Sequence, residues 1–474
     1  MTEPTNQSSN QNDELKLFLE QKIELYEEGF EAEDILQRKK TGKSLSNFLN
    51  SFEEPLVVAI DGKWGSGKTW FLQRWVGEHS KKNKDTSTVV YFDAFAHDYL
   101  SDPLPALVQA LSDRTAEDTI MQKLKETAFK LVKPLARVGL AAATSGASEI
   151  GGAVINAIGQ ETERNLDEYW KREKGKHTAM KQFRTALESL ADKEKGQKVI
   201  FVIDELDRCR PDYALEVLEV IKHFFSVPGV HFVLGVNLEA LESMVRARYG
   251  GEIEANTYLQ KFIQVTLNLP SEFGAIHQRS KDVSVYLDQL CNEMKIPKLI
   301  ADKLKSQVKI VARAKDNTIS LRHIKQIVTE VFMASGGALT RIYEQPGGKY
   351  SIMIDLIIAK IVRSKLYQKF LDATLTEQEL KSYLGATDNI LNGDHYGEFY
   401  DNAYRYNVWF RYNTWLFITQ NKNFKSIDDH KQKEIITNLY GPHNIIQDGK
   451  IAKELPKQIE SEWLDLFQFY RPLS

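Results

Sequence analysis

The chain has 474 residues and 42% hydrophobic content, enough for two or three domains with real apolar cores. A formal net charge of −3 excludes a global electrostatic pull toward nucleic acid or acidic lipid and leaves open only a local basic groove. The two cysteines, Cys209 and Cys291, cannot build a disulfide framework and have no second Cys or His at metal-ligand spacing, which fits a reducing cytoplasm.

Met1 to Asp13 is polar and lacks the basic start and apolar centre of a signal peptide, so no export is expected. Met1–Asn12 reads as a disordered tail, and Glu14–Gln37 as a helical lead-in from the spacing of Leu15, Phe18, Leu19, Ile23, Leu25 and Tyr26. A second amphipathic helix is expected from Asp34 through Leu45, Phe48 and Leu49, with Arg38 as an exposed helix cation in preference to a nucleotide contact.

The apolar run Leu56–Ile60 predicts a buried strand, and from Gly62 the chain satisfies G-x-x-x-x-G-K-[ST] in the residues Gly62, Lys63, Trp64, Gly65, Ser66, Gly67, Lys68 and Thr69. The glycines allow backbone amides to turn inward around a di- or triphosphate. Lys68 reaches the β- and γ-phosphates in such a loop, the Thr69 hydroxyl faces Mg²⁺, and the helix opening through Trp70 aims its positive end at the anion. A second strand is expected over Thr86–Phe92, ending in Phe92-Asp93-Ala94-Phe95. The interval to the next strand is too long for a crossover, so an insert at about 100–195 is expected. Within it, Val138–Gly159 is rich in Ala and Gly with Glu149 near its centre, and reads as a small-residue packing helix in preference to a bilayer span. The charged stretch Glu161–Glu194 reads as a solvated helical arm.

Lys198–Ile203 is a strongly apolar strand ending in Asp204-Glu205-Leu206-Asp207-Arg208. This is the Walker B pattern: Asp204 holds Mg²⁺ and Glu205 polarises the water that attacks the γ-phosphate. Arg208 has two readings, a stabiliser of γ-phosphate charge, acting even across a subunit interface, or an ion pair with Asp204 or Asp207. A helix follows from Pro211 to Phe225, then a strand over Gly229–Val236. Asn237 at its tip is either a γ-phosphate or water contact or the N-cap of the helix Leu238–Arg248. Phe262–Leu269 is read as the fifth strand.

Beyond Pro270 only helices are expected: Val283–Met294, Lys298–Ala312, Ser320–Met333 and Tyr350–Tyr367. In the third, Ser320 suits a cap, and Arg322 in the first turn opposes the helix dipole, which suggests a phosphate contact. The aromatics from Tyr396 to Phe417 read as a helical core or a protein interface more than as a base-stacking platform.

Five stretches together resemble the KAP family of P-loop NTPases, a branch near the STAND class: Asp61–Thr69, Phe92–Phe95, Ile203–Cys209, Tyr258–Val265 and Leu321–Gln326. The resemblance runs from Asp34 to about Val331 and implies an α/β core with a five-stranded parallel sheet in the order 5-1-4-3-2, a helical subdomain behind it, and ATP as nucleotide. The chain departs from many members in having Asp204-Glu205 for Asp-Asp, which favours hydrolysis, and Asp93 and Phe95 for Asn and Trp. Membrane helices commonly interrupt the family domain where Val138–Gly159 lies; here any membrane contact is expected to be peripheral.

The expected division is a tail and lead-in over 1–50, the NTPase core over 51–270, a helical lid over 271–345 and an aromatic-rich helical domain over 346–474. The expected function is a Mg²⁺-dependent ATPase switch in a bacterial anti-phage defence or signalling assembly, partnered by further copies of itself or by another defence protein. The alternatives are a non-hydrolysing ATP-gated scaffold and a remodelling ATPase stimulated by nucleic acid.

Overall fold

A computed structural model describes residues 23–30, 34, 36, 38–115, 118–131, 166–191, 196–269, 276–336, 347–392, 400–420, 429–440 and 449–468. The tail before residue 23 and the stretch Val138–Gly159 lie outside the described residues. The chain forms two compact units, Ile23–Ser271 and a second from Glu272 onward.

The first unit is built on five strands: β1 (Leu56–Asp61), β2 (Ser87–Asp93), β3 (Lys198–Asp204), β4 (Val230–Val236) and β5 (Val265–Asn268). They pair in parallel in the order β2-β3-β4-β1-β5, as the family resemblance implied. Every residue of β3 and β4 is buried, because helices cover both faces, which explains why their sequences are apolar apart from Lys198, Asp204 and His231. Alternation along the strands sorts side chains into two layers. Val57, Ala59, Phe201, Ile203, Phe232 and Leu234 pack on one side with α3 (Leu104–Ser112), α4 (Asp118–Leu131), α5 (Leu166–Leu190), α6 (Pro211–Phe224) and α7 (Leu238–Tyr249). Val58, Ile60, Ile200, Val202 and Val233 pack on the other against α1 (Lys39–Asn50) and α2 (Lys68–Lys82). Trp75 of α2 is fully buried in that second layer, and its indole Nε1 donates to Gly42 O and Ser46 Oγ of α1, both at 3.0 Å. Truncating it to alanine would cost about 3–5 kcal/mol.

Three expectations shift. The described part of the expected lead-in is no helix: Leu25–Glu27 is a turn with Tyr26 at φ 75°, and the Tyr26 hydroxyl accepts the Tyr91 N–H of edge strand β2 at 3.0 Å. The following helix, α1, starts at Lys39 because the Asp34 carboxylate accepts from the N–H groups of Arg38 (2.6 Å) and Lys39 (2.7 Å). β5 begins at Val265, not Phe262, because the Gln264 side chain takes the Val57 N–H at 2.7 Å and Phe262 and Ile263 turn into the core.

The second unit is helical throughout its described residues: α8 (Ile276–Glu293), α9 (Lys298–Arg313), α10 (Leu321–Gly336), α11 (Gly347–Val362), α12 (Ser364–Leu371), α13 (Glu377–Leu384), α14 (Tyr400–Gln420), α15 (Asp429–Tyr440) and α16 (Gly449–Gln468), with shorter turns between. One apolar core runs through it from Val283 to Ile459, shared by the stretches read from sequence as lid and C-terminal domain. The single helix expected over Tyr350–Tyr367 breaks at Arg363 (φ −137°), whose guanidinium donates to Asp316 O at 3.0 Å. Tyr412, Trp415 and Phe417 are buried in this core, and Trp409 is buried too. Trp415 donates to Asp355 at 2.6 Å, and Arg411 is buried in an ion pair with the same carboxylate. That cation therefore neutralises Asp355 and is not offered to a nucleic-acid backbone. No described helix is long and apolar enough to cross a membrane.

Candidate functional site

The loop between β1 and α2 is shaped by two glycines, Gly65 and Gly67, each at φ 80°, where a Cβ would be opposed. The loop's first residue, Gly62, also has no room for a side chain, since a Cβ would stand 2.8 Å from Ser66 Oγ. Lys68, the first residue of α2, folds its Nζ back onto Gly62 O at 2.6 Å and Lys63 O at 3.5 Å. Burial lowers its pKa, against the charges of Asp207, Asp204, Glu205 and Asp61, which hold it up. An ammonium spanning the loop with acidic neighbours is poised to exchange carbonyl contacts for phosphate oxygens.

The acidic half of the site stands at the end of β3. Asp204 is 1% exposed, between Asp93 of β2 and Gly235 of β4 in register. Its Oδ2 accepts from the Tyr91 hydroxyl at 2.9 Å and its Oδ1 from the Glu205 N–H at 2.9 Å. Burial first, and the charge of Glu205 second, push its pKa up to about 6. Glu205 itself adopts a left-handed backbone (φ 60°, ψ 21°), a conformation costing a non-glycine residue about 1–3 kcal/mol. Its carboxylate meets the Thr69 hydroxyl, which donates to Oε1 at 2.8 Å. Phosphate loop and acidic strand end are thus joined through the two side chains that sequence assigned to metal and water.

Arg208 makes an ion pair, but with Glu205, not with Asp204 or Asp207. Asp207 is taken instead by Trp64, whose indole N–H donates to it at 2.6 Å, a second bond between the loop and the turn after β3. Lys63 is exposed on the loop, and Ser66 Oγ is buried without a protein partner. Trp70 lies in α2 with its ring edge-on to Phe30 and Arg74 over it. Asn237 follows the β4 residue paired with Asp61, beside both acidic and phosphate-loop strands. Its side chain makes no cap bond; Asp61 Oδ1 accepts the Leu238 N–H at 2.9 Å and caps α7 in its place. Arg322 belongs to the other unit, exposed in the first turn of α10, where Ser320 Oγ accepts the His323 N–H at 3.2 Å.

Four residues of the site were not read from sequence. Tyr91 and Gly235 set the place of Asp204: a Cβ on Gly235 would lie 2.6 Å from Asp204 Oδ1. A glycine inside an apolar strand pattern was the available signal for such a close approach. Asp61 was read only as the residue before the loop, and Arg38, expected on the surface, is 5% exposed and donates to the carbonyls of Ser66 and Gly67.

This donor set suits a magnesium nucleotide. The loop offers inward backbone and one buried unpaired hydroxyl, and the hard oxygens of Thr69 and Asp204 match a cation that keeps waters and phosphates as its other ligands. No cluster of three or more His, Cys, Asp or Glu side chains suited to a metal occurs among the described residues, so a metal here would depend on the bound phosphates.

A parallel five-stranded sheet of this order, with a glycine loop after β1 and a buried aspartate ending β3, defines a P-loop NTPase. The chain belongs to the KAP family: the KAP family P-loop domain matches residues 38–334. It is similar to the uncharacterized protein MJ0182 of Methanocaldococcus jannaschii, 29% identical over 181 residues, which cover 32% of this chain and 90% of that protein. Among solved structures it is similar to the ORC2 protein of Aeropyrum pernix in its ADPNP-ADP complexes, with a TM-score of 0.37, 14% identity, and 96% of this chain and 99% of that one covered. Drosophila ORC bound to DNA gives a TM-score of 0.31 at 11% identity, covering 90% and 85% of the two chains.

Proposed function

We propose that the protein hydrolyses ATP to ADP and phosphate with Mg²⁺ and uses the cycle as a switch within a defence or signalling assembly. The observation that carries this reading is the 2.8 Å hydrogen bond from Thr69 to Glu205, which brings the metal-binding hydroxyl and the water-orienting carboxylate to one point. In this reading the amides of Gly62–Thr69 that are not bonded within the protein, Gly67 and Lys68 among them, and the Lys68 ammonium bind the β- and γ-phosphates, and Thr69 and Asp204 would hold the cation. Mg²⁺, when bound there, would supply neutralisation of phosphate charge. Glu205 is placed to orient the attacking water and accept its proton, and the Thr69 hydroxyl, which donates to Glu205 in this structure, would be a ligand of the cation. Arg208, paired with Glu205 in this structure, would meet charge on the γ-phosphate, and Asn237 would hold the water from the β4 side. Catalysis is positioning and electrostatics, with no covalent intermediate.

The test is phosphate release and nucleotide binding, measured alone and with DNA, RNA or lipid vesicles, beside mass photometry with ATP and ADP. Lys68→Ala should abolish binding, and Glu205→Gln should bind ATP normally while losing turnover by about 100-fold or more. A wild-type protein that binds no nucleotide, or a Glu205→Gln protein that turns over normally, would overturn the assignment. A change of mass between the ATP and ADP states supports the switch, and an identical mass with and without nucleotide removes nucleotide-driven assembly from it.

A further inference from the structure

Arg38 sits just before α1, twenty-four residues ahead of the glycine loop, and its guanidinium is buried. Nη2 donates to Ser66 O at 2.7 Å and Nη1 to Gly67 O at 3.0 Å, a forked contact on two successive peptide units. Asp34 fixes the base of this arm by accepting the Arg38 and Lys39 N–H groups. A peptide unit is planar and trans, so its N–H points opposite its C=O. Holding the Ser66 and Gly67 carbonyls toward the guanidinium therefore turns the N–H groups of Gly67 and Lys68 to the opposite face. Neither N–H has a protein acceptor among the described residues, as at any helix start, and the guanidinium fixes the direction in which this free pair faces.

Resting on the nucleotide reading above, we propose that Arg38 is the positioning residue of the phosphate loop: it sets the peptide planes whose amides bind the phosphate shared by ATP and ADP. It touches the loop from behind and takes no part in the chemistry. Burial lowers its pKa to about 10, so it stays cationic at neutral pH and adds to the attraction for the anion. Lysine is no substitute, because a single ammonium cannot reproduce the planar fork on two carbonyls.

The experiment compares wild type, Arg38→Met, Arg38→Lys and Leu49→Ala for affinity to fluorescent ADP and ATP analogues, melting temperature and kcat. Leu49 is a fully buried residue of α1 and serves as a control for destabilisation alone. Arg38→Met, which keeps the apolar stem, should weaken ADP and ATP by the same factor of about 10–100, the worth of charge-assisted bonds to two carbonyls. Arg38→Lys should fall between it and wild type, with kcat at saturating ATP retained in both, because Glu205 and Asp204 are untouched. Should Arg38→Met fail to fold, Arg38→Lys decides: weakened binding supports the role and unchanged binding overturns it. Affinity within twofold of wild type in Arg38→Met, or an equal loss in Leu49→Ala, would also overturn it. A wild-type protein that binds neither nucleotide would instead sink the nucleotide reading on which the role depends.

Discussion

Substituting Gly235 with alanine tests how the acidic half of the site is held. The added Cβ would stand 2.6 Å from Asp204 Oδ1 and 2.4 Å from Leu72 Cδ1. Carbon contacts relax at about 3.5–4.0 Å, so the leucine tip must withdraw by more than about 1 Å, which a terminal methyl does by rotating. Asp204 has no such freedom, since it is 1% exposed and tied to the Tyr91 hydroxyl and the Glu205 N–H. Overpacking of this kind costs about 1–3 kcal/mol, or about 2–4 °C of melting temperature per kcal/mol for a unit of this size. Displacing the carboxylate by roughly half an ångström should lower Mg²⁺-dependent phosphate release by about 10–100-fold. Nucleotide affinity measured in EDTA should stay unchanged, because the loop is not touched. Gly251, where an added Cβ would meet nothing within 4 Å, gives the silent comparison as Gly251→Ala. Wild-type turnover and wild-type Mg²⁺ dependence in Gly235→Ala would refute the claim that this glycine places the metal-side carboxylate.

Tyr91→Phe removes the 2.9 Å donor to Asp204 while leaving the ring in place, and should destabilise the first unit by about 2 kcal/mol at neutral pH and raise the Mg²⁺ concentration needed for half-maximal turnover; an unchanged urea midpoint and Mg²⁺ titration would count against it. His79 and His231 are buried, and burial pushes both down to about 4. The unfolded chain, near 6.5, binds their protons first, so their contribution is complete above that value and is lost as pH falls toward 4, about 3 kcal/mol each. Asp204, raised to about 6, acts with the opposite sign, so the measurement is the difference between wild type and His79→Gln in urea midpoint from pH 7.5 to 4.5, and parallel curves would refute the assignment.

Both nucleotide motifs and the three strands β1, β2 and β3 were legible because each is written locally, as an apolar run that ends in an acid, while β4 and β5 were read from apolar or alternating runs that end in asparagine. What escaped depends on neighbours distant in sequence. Arg38 reads as one cation on an amphipathic helix until the loop is folded over it, and only then do two carbonyls compensate its burial. Asn237 has the right chemistry for a cap, yet its side chain makes no cap bond, and Asp61 of the adjacent strand takes the Leu238 N–H. The left-handed backbone of Glu205 has no signature in residue type, since that region favours glycine or asparagine, and it is maintained by bonds to Thr69 and Arg208. The break at Arg363 is likewise accompanied by a bond to a carbonyl distant in sequence, in the turn after α9, with no glycine or proline to announce it.

The sheet order has a consequence for how the protein is made. β1 has no strand neighbour from the first half of the unit: its partners are β4 and β5, and the contact that closes Asp61 onto Leu238 joins residues 177 apart. At about 5–20 residues per second of synthesis, the glycine loop and its apolar strand leave the ribosome roughly 10–35 s before that partner exists. During that interval the loop is without the Glu205 turn that locks Thr69, which follows it by 136 residues, and its strand is without the β4 and β5 edges that pair with it. The growing protein must shield an unpaired Leu-Val-Val-Ala-Ile strand, which makes early translation the period of greatest exposure to aggregation and chaperone capture.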